Sequence, residues 1–262
     1  MTLISLPGGG KPSEAYRTAF GPGMSGWDVW ALQVALNGHQ QTFPIAEDGV
    51  IAADPKKSET IQCILREQGN HHLKVDGICG PATQRAIALA EIKKAEAAHN
   101  VKPGLLHGLA NGESSLLLVC VSGPNWNGSF DAGLIQDNIT TSQAGDIAAW
   151  RKGFNPRVGC DETAAKLRKK FTDYKGKAGA KTDRAAWEAA LVFHNWQSAA
   201  DQMAAGTFDS WVYYAYNADG EGRWYGVDDD AYWVIAASRG RLSTGREWRD
   251  DYVRRNTIYC SW

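Results

Sequence analysis

Glu113 stands where acid chemistry could be done. It lies in Gly112-Glu113-Ser114, directly after the apolar residues Leu105, Leu106, Leu109 and Ala110, which fall on one face of a helical repeat. A glutamate beside such a surface loses solvation, which raises its pKa and keeps it protonated near neutral pH, as a general acid requires. Downstream, Gly133-Leu134-Ile135-Gln136 supplies a glycine-led turn and an amide whose two polar ends suit a sugar acetamido or hydroxyl group. The pair predicts protonation of a glycosidic oxygen while the sugar is held. A lone glutamate is most often a surface residue; the company of Ser114 and Gln136 is what favours the acid.

A second carboxylate would decide the mechanism. An inverting glycosidase needs a base that activates water from the far side of the sugar, with the two carboxyl groups roughly 6.5–9.5 Å apart. Asp131 and Asp137 bracket the Gly-Leu-Ile-Gln turn, and both could instead serve as turn or helix caps. Further on, an amphipathic helix starting at Asp183 ends in His194-Asn195, a second amide. Nine of the 11 tryptophans lie between Trp126 and Trp262. Most are expected in the core, with Trp126 and Trp224 the ones that could stack on a sugar ring. Tyr216-Asn217-Ala218-Asp219-Gly220 is a rival to His194-Asn195 for the second amide, but it lies in a stretch that reads as an aromatic, glycine-rich loop, so the helix-ending pair is preferred.

These residues need elements to hold them, and the pattern predicts a mainly α protein. Residues 1–23, rich in Gly and Pro, read as an irregular arm. From 24 to 95 a helix-turn unit is written twice: Val29-x-x-Leu32-Gln33-x-x-Leu36 leads to Asp48-Gly49, and Ile61-Gln62-x-x-Leu65 leads to Asp76-Gly77. The nearly equal spacing pairs Gln33 with Gln62 and Asp48 with Asp76. Gly80-Pro81 then opens a third helix, giving a small three-helix bundle. Pro103-Gly104 breaks the charged helical extension, so 96–104 is expected as a linker and 105–262 as a mostly helical second domain.

Two resemblances follow from these motifs. Gly26-x-x-Val29-x-x-Leu32-Gln33, Asp48-Gly49 and Asp76-Gly77-Ile78-x-Gly80-Pro81-x-Thr83 resemble the peptidoglycan-binding domain found beside many wall hydrolases. The resemblance implies a shallow groove between helices for a wall stem peptide or glycan, with Asp48, Gly49, Asp76 and Gly77 at the binding turns. The chain departs from the pattern at Ala53-Asp54-Pro55, where a glycine and a threonine are expected, so the first half is expected to be loop-remodelled. Glu113-Ser114, Gly133-Leu134-Ile135-Gln136, His194-Asn195 and Tyr252 resemble, in order, the acid-serine pair, the Gly-Leu-x-Gln turn, the Tyr-Asn pair and the late tyrosine of the lysozyme-like lytic transglycosylases and goose-type lysozymes. That implies Glu113 as the general acid and Ser114, Gln136, His194, Asn195 and Tyr252 as substrate-binding residues. His194 stands where a tyrosine is usual, and Asp137 is one position out of register with a helping aspartate. Without a base, the resemblance implies attack by the substrate's own muramyl hydroxyl and an anhydro product.

Bulk properties set the limits. A chain of 262 residues with formal net charge -1 offers no global attraction for nucleic acid. The five cysteines, Cys63, Cys79, Cys120, Cys160 and Cys260, show no C-x-x-C spacing; Cys63 with Cys79 is a conceivable pair. No metal-ligand spacing is visible, and no cofactor is expected. Residues 151–184 carry eleven Lys or Arg against four acids, read as a solvated face or as a strip for an anionic wall polymer. No apolar run is long enough for a signal peptide or a membrane span. The leading expectation is a monomeric bacteriophage-type endolysin that binds bacterial peptidoglycan, accumulates in the host cytoplasm, and reaches the wall through a separate pore. The alternatives are a non-catalytic wall-binding or virion structural protein with the same fold and, less favoured, a peptidase.

Overall fold

A computed structural model describes residues 5–12, 16–40, 42–125, 127–194, 197–207, 212–216, 222–226 and 252–262. The protein is mainly helical. Contacts divide it into two units, 1–99 with 110–163, and 100–109 with 164–262. No helix among the described residues is long and apolar enough to cross a membrane.

The first unit is built around α1 (Trp27–His39), α2 (Glu59–Asn70) and α3 (Pro81–Ala98). Helix α1 is buried on nearly every side, as expected of a central helix rather than of one with a wet face. Ser58 caps α2 by accepting the Ile61 N–H, and Pro81 opens α3 at a position where no backbone donor is needed. The doubled helix-turn unit is present as two matching amide clamps. Gln33 Nε2 donates to Asp48 Oδ1, Val50 O and Thr60 Oγ1, while its Oε1 accepts the Gly49 N–H at 2.8 Å. Gln68 Nε2 donates to Asp76 Oδ1, Ile78 O and Thr83 Oγ1, while its Oε1 accepts the Gly77 N–H at 3.0 Å.

The residue equivalent to Gln33 is thus Gln68, not the Gln62 that equal spacing suggests; Gln62 donates at the surface to Pro55 O. The missing threonine of the first copy is Thr60, delayed by the loop that carries Ala53-Asp54-Pro55. Gly49 and Gly77 both sit at φ 73, a left-handed value glycine adopts without strain. The described part of the arm is not loose. Phe20 is fully buried and exchanges backbone hydrogen bonds with Cys79, and Gly23 N–H donates to Ile51 O, so the arm lies along both clamped turns.

The same unit contains a small antiparallel sheet, β1 (Val121–Ser122), β2 (Phe130–Ala132) and β3 (Asp137–Ile139), in order β1-β2-β3. It also contains α5 (Ile147–Phe154), capped by Asp146. An aromatic chain joins these parts. Trp27 and Trp30 pack on Phe154, Phe154 stacks with Trp150, and Trp150 meets Phe130 of β2 at 5.6 Å. Trp150 is wholly buried and satisfies its indole N–H on Ala144 O, the core role expected of most tryptophans.

Helix α4 (Leu105–Ser114) and α6 (Pro156–Tyr174) each contribute residues to both units. The second unit also holds α7 (Asp183–Phe193), capped by Thr182, and α8 (Gln197–Ala205). Phe171 stacks on Trp187 at 4.1 Å, and Tyr174 donates to Asp201 at 2.8 Å. Helical residues 252–257 pass so close to Gly108 that a Cβ there would lie 1.8 Å from Asn256 O. The stretch expected as an aromatic loop is a hairpin over part of its length: β4 (Val212–Tyr216) pairs antiparallel with β5 (Gly222–Gly226), Tyr214 opposite Trp224. None of the buried Cys63, Cys79, Cys120 and Cys160 forms a disulfide.

Candidate active site

Glu113 is half-buried in the last turn of α4, whose apolar face, Leu105, Leu106, Leu109 and Ala110, is fully buried as its spacing predicts. The helix stops sharply, because Ser115 and Leu116 both take left-handed backbone angles. Ser114 is buried, and its hydroxyl reaches Ala110 O at 3.0 Å and Leu134 O at 2.7 Å. The second bond ties the end of the acid's helix to the Gly133–Gln136 turn. A hydroxyl with one proton makes one donation at a time, and the shorter contact is the one to the turn.

The turn itself is tightly specified. Gly133 has φ 76, its N–H donates to Cys120 O, and a Cβ there would lie 2.0 Å from Gly153 O. Gln136 also has a left-handed backbone, at φ 55. Its amide is oriented from both ends: Nε2 donates to Gly133 O at 2.9 Å, and Oε1 accepts from Ser122 Oγ at 2.9 Å.

Strand register separates the two aspartates. Asp131 lies opposite Asn138, whereas Asp137 lies opposite Ala132, so alternation along β2 and β3 sends the two carboxylates to opposite faces of the sheet. Asp131 joins the Gln136 face. It accepts from Asn138 Nδ2 at 2.8 Å and Asn125 Nδ2 at 2.9 Å, and Ser122 Oγ stands between it and Gln136. Asp137 faces α6. A Cβ on Gly159 would lie 3.2 Å from its Oδ2, and its charge helps burial to push the Cys160 thiol upward.

Glu113 leaves an electrostatic trace on Cys120, at the start of the sheet. Burial raises that thiol's pKa, the Tyr16 hydroxyl at 3.3 Å opposes the rise, and the Glu113 carboxylate adds to it. Burial in turn pushes the Tyr16 phenol up to about 12. Neither group is poised to titrate near neutrality.

The structure thus gathers Glu113, Ser114, Gln136 and Asp131 in the first unit. His194, at the C-terminal end of α7, and the buried Tyr252 belong to the second. Trp126 and Asn195 lie outside the described residues, as does the side chain of Trp224 in β5. Asp48, Gly49, Asp76 and Gly77 are turn residues held by Gln33 and Gln68, a role that accounts for them structurally. Sequence reasoning did not anticipate Ser122, Asn125 and Asn138. For Ser122 and Asn138 the signal is only that polar side chains alternate with apolar ones across very short strands; Asn125 lies in the loop between β1 and β2.

Concave surfaces also lie elsewhere among the described residues. In the first unit a groove of about 410 Å³ is lined by Phe43, Ile45, Lys56, Lys57, Gln62 and Arg66, with Phe43 62% exposed and the Arg66 guanidinium 5.1 Å from its ring. In the second, a cleft of about 790 Å³ is lined by Arg184, Glu188, Arg254 and Trp262 among others. No protein-family model matches the chain, and no curated protein sequence matches it.

Proposed function

We propose that this protein binds bacterial peptidoglycan and cleaves its MurNAc-GlcNAc glycosidic bond, with Glu113 as the general acid. The observation that carries the reading is the 2.7 Å hydrogen bond from Ser114 Oγ to Leu134 O. It fixes the acid's helix end to the turn bearing Gln136, so that a proton donor and an oriented amide are held by one framework. On this reading the amide and Ser122 position the sugar, and Glu113 delivers its proton to the leaving oxygen as the bond breaks. Asp131, on the same sheet face as Gln136, is the carboxylate suited to activate a water; Asp137, on the reverse face, supports α6. The groove beside Phe43, with Lys56, Lys57 and Arg66, suits the carboxylates of a wall stem peptide.

The test is mass spectrometry of fragments released from purified peptidoglycan by the wild type, Glu113→Gln and Asp131→Asn. Reducing muropeptides from the wild type, lost in both variants, support hydrolysis with Asp131 as base. Anhydro ends, lost only with Glu113→Gln, assign the reaction to the substrate's own hydroxyl. A wild type that sediments with walls of several chemotypes but releases nothing replaces this reading with a non-catalytic wall-binding protein.

A further inference from the structure

At the end of the bundle formed by α1, α2 and α3, four ionisable side chains converge away from Glu113. His39 is the last residue of α1, Glu67 lies in the final turn of α2, His71 follows α2 directly, and Glu91 projects from α3. His39 Nε2 is 3.2 Å from Glu67 Oε2, and His71 Nε2 is 3.9 Å from the same oxygen. One donor atom from each of His39, Glu67 and His71 lies within 4.8 Å of the other two. His39 Nδ1 meets Glu91 Oε1 at 2.8 Å, and Lys94 Nζ holds that same oxygen at 2.6 Å. His71 Nε2 is buried and makes no hydrogen bond within the protein.

We infer that His39, Glu67 and His71 form a binding site for a divalent transition-metal ion of the zinc class, with Glu91 orienting His39. The donor set is two imidazoles and one carboxylate, a combination zinc accepts with a further position left for water or an added ligand. Glu67 and His71 are four residues apart, so a helical path brings them to one side, and α1 delivers His39 opposite. A carboxylate on Nδ1 fixes the imidazole tautomer and points the Nε2 lone pair at the shared centre, as outer carboxylates do at histidine-ligated metals. His71 Nε2 stands 3.9 Å from Glu67 Oε2, wider than the about 3.3 Å between ligand atoms around a tetrahedral zinc, so metal binding requires the His71 ring to move inward. Such an ion would clamp α1 to α2 directly and α3 through Glu91. In its absence, His39 protonated on both nitrogens donates from Nδ1 to Glu91 and from Nε2 to Glu67, and the Nε2 proton is the metal's competitor.

The experiment uses the full chain, stripped with a chelator and titrated with zinc chloride alone by calorimetry, with thermal melts in parallel. His71→Ala is the informative variant, because His71 Nε2 makes no hydrogen bond and loss of the ring leaves the His39 contacts to Glu67 and Glu91 in place. The neighbouring exposed His72 supplies the control. The expected result is one zinc per chain with a raised melting temperature, at least tenfold weaker binding and no thermal gain in His71→Ala, and wild-type behaviour in His72→Ala. Cobalt substituted for zinc should give a visible absorption band that His71→Ala removes. Binding unchanged in His71→Ala, or no binding by the wild type at micromolar zinc, would overturn the site and leave a proton-bridged histidine alone.

Discussion

Replacing Glu113 by Gln keeps the side chain's size and removes its proton, so the expected loss in turnover is about 10²- to 10⁴-fold with the fold intact. Muropeptide release, with circular dichroism as the check on folding, measures it. Ser114 makes a subtler prediction. Ser114→Ala strips a donor from the buried Leu134 carbonyl, which should cost about 1–3 kcal/mol in urea unfolding. Because the bond also joins helix to turn, turnover should fall further than KM changes. A variant that loses stability but keeps turnover would show that Ser114 only packs.

At the scale of elements, the second amide clamp can be compared with a surface glutamine of the same helix. Gln68→Ala removes partners from Asp76, Ile78 and Gly77 together, so a loss above about 2 kcal/mol is expected, whereas Gln62→Ala at the surface should stay within about 0.5 kcal/mol. Gly133→Ala combines a left-handed backbone with a Cβ driven into Gly153 O, and should cost more than about 3 kcal/mol or prevent folding. Much of this scale was legible beforehand. Apolar spacing and Gly80-Pro81 announced α1 to α3, and Leu105 to Ala110 announced the helix that ends at Glu113. Equal spacing misled at Gln62, because Gln33 precedes Asp48 by 15 residues whereas Gln68 precedes Asp76 by only 8, so the first copy carries extra residues between amide and turn. The assignment of Asp131 and Asp137 to opposite faces was invisible too, since three-residue strands are too short to show a period and only their pairing sets the register. The same holds for His39, Glu67, His71 and Glu91, whose ligand-like grouping depends on three helices meeting rather than on any local spacing.

Across the whole molecule, the basic run from 151 to 184 is partly neutralised by its own neighbours. Arg151 pairs with Glu47, Lys152 with Glu162, Lys169 with Asp173, and Lys175 with Asp183. Exposed pairs of this kind contribute little each, about 0–1 kcal/mol. The more consequential charges are less exposed. Burial opposes the Asp28 charge, but the Arg17 guanidinium and backbone N–H groups outweigh it and hold the carboxyl below its ordinary range; Glu47 is held down similarly by Arg151 and Asn37. A folded value below the unfolded one means that this stability is complete above the ordinary carboxylate values and is lost as pH falls through the folded values. The melting temperature should therefore drop between about pH 5 and pH 2. Asp28→Asn should start lower and fall less over the same interval, as calorimetric melts across the series would show.

The two clamped turns also bear on how this protein ages. Asp-Gly is the aspartyl dipeptide most prone to rearrange into isoaspartate, a reaction that begins when the glycine nitrogen attacks the preceding side-chain carbonyl carbon. At Asp48-Gly49 and Asp76-Gly77 that nitrogen is already engaged by Gln33 or Gln68, and the aspartate Oδ1 is held by the N–H two residues on. Closing the five-membered imide would require breaking both bonds at once. The folded bundle thus shelters both of these Asp-Gly pairs, and isoaspartate accumulating at residues 48 or 76 would record how often each turn comes open.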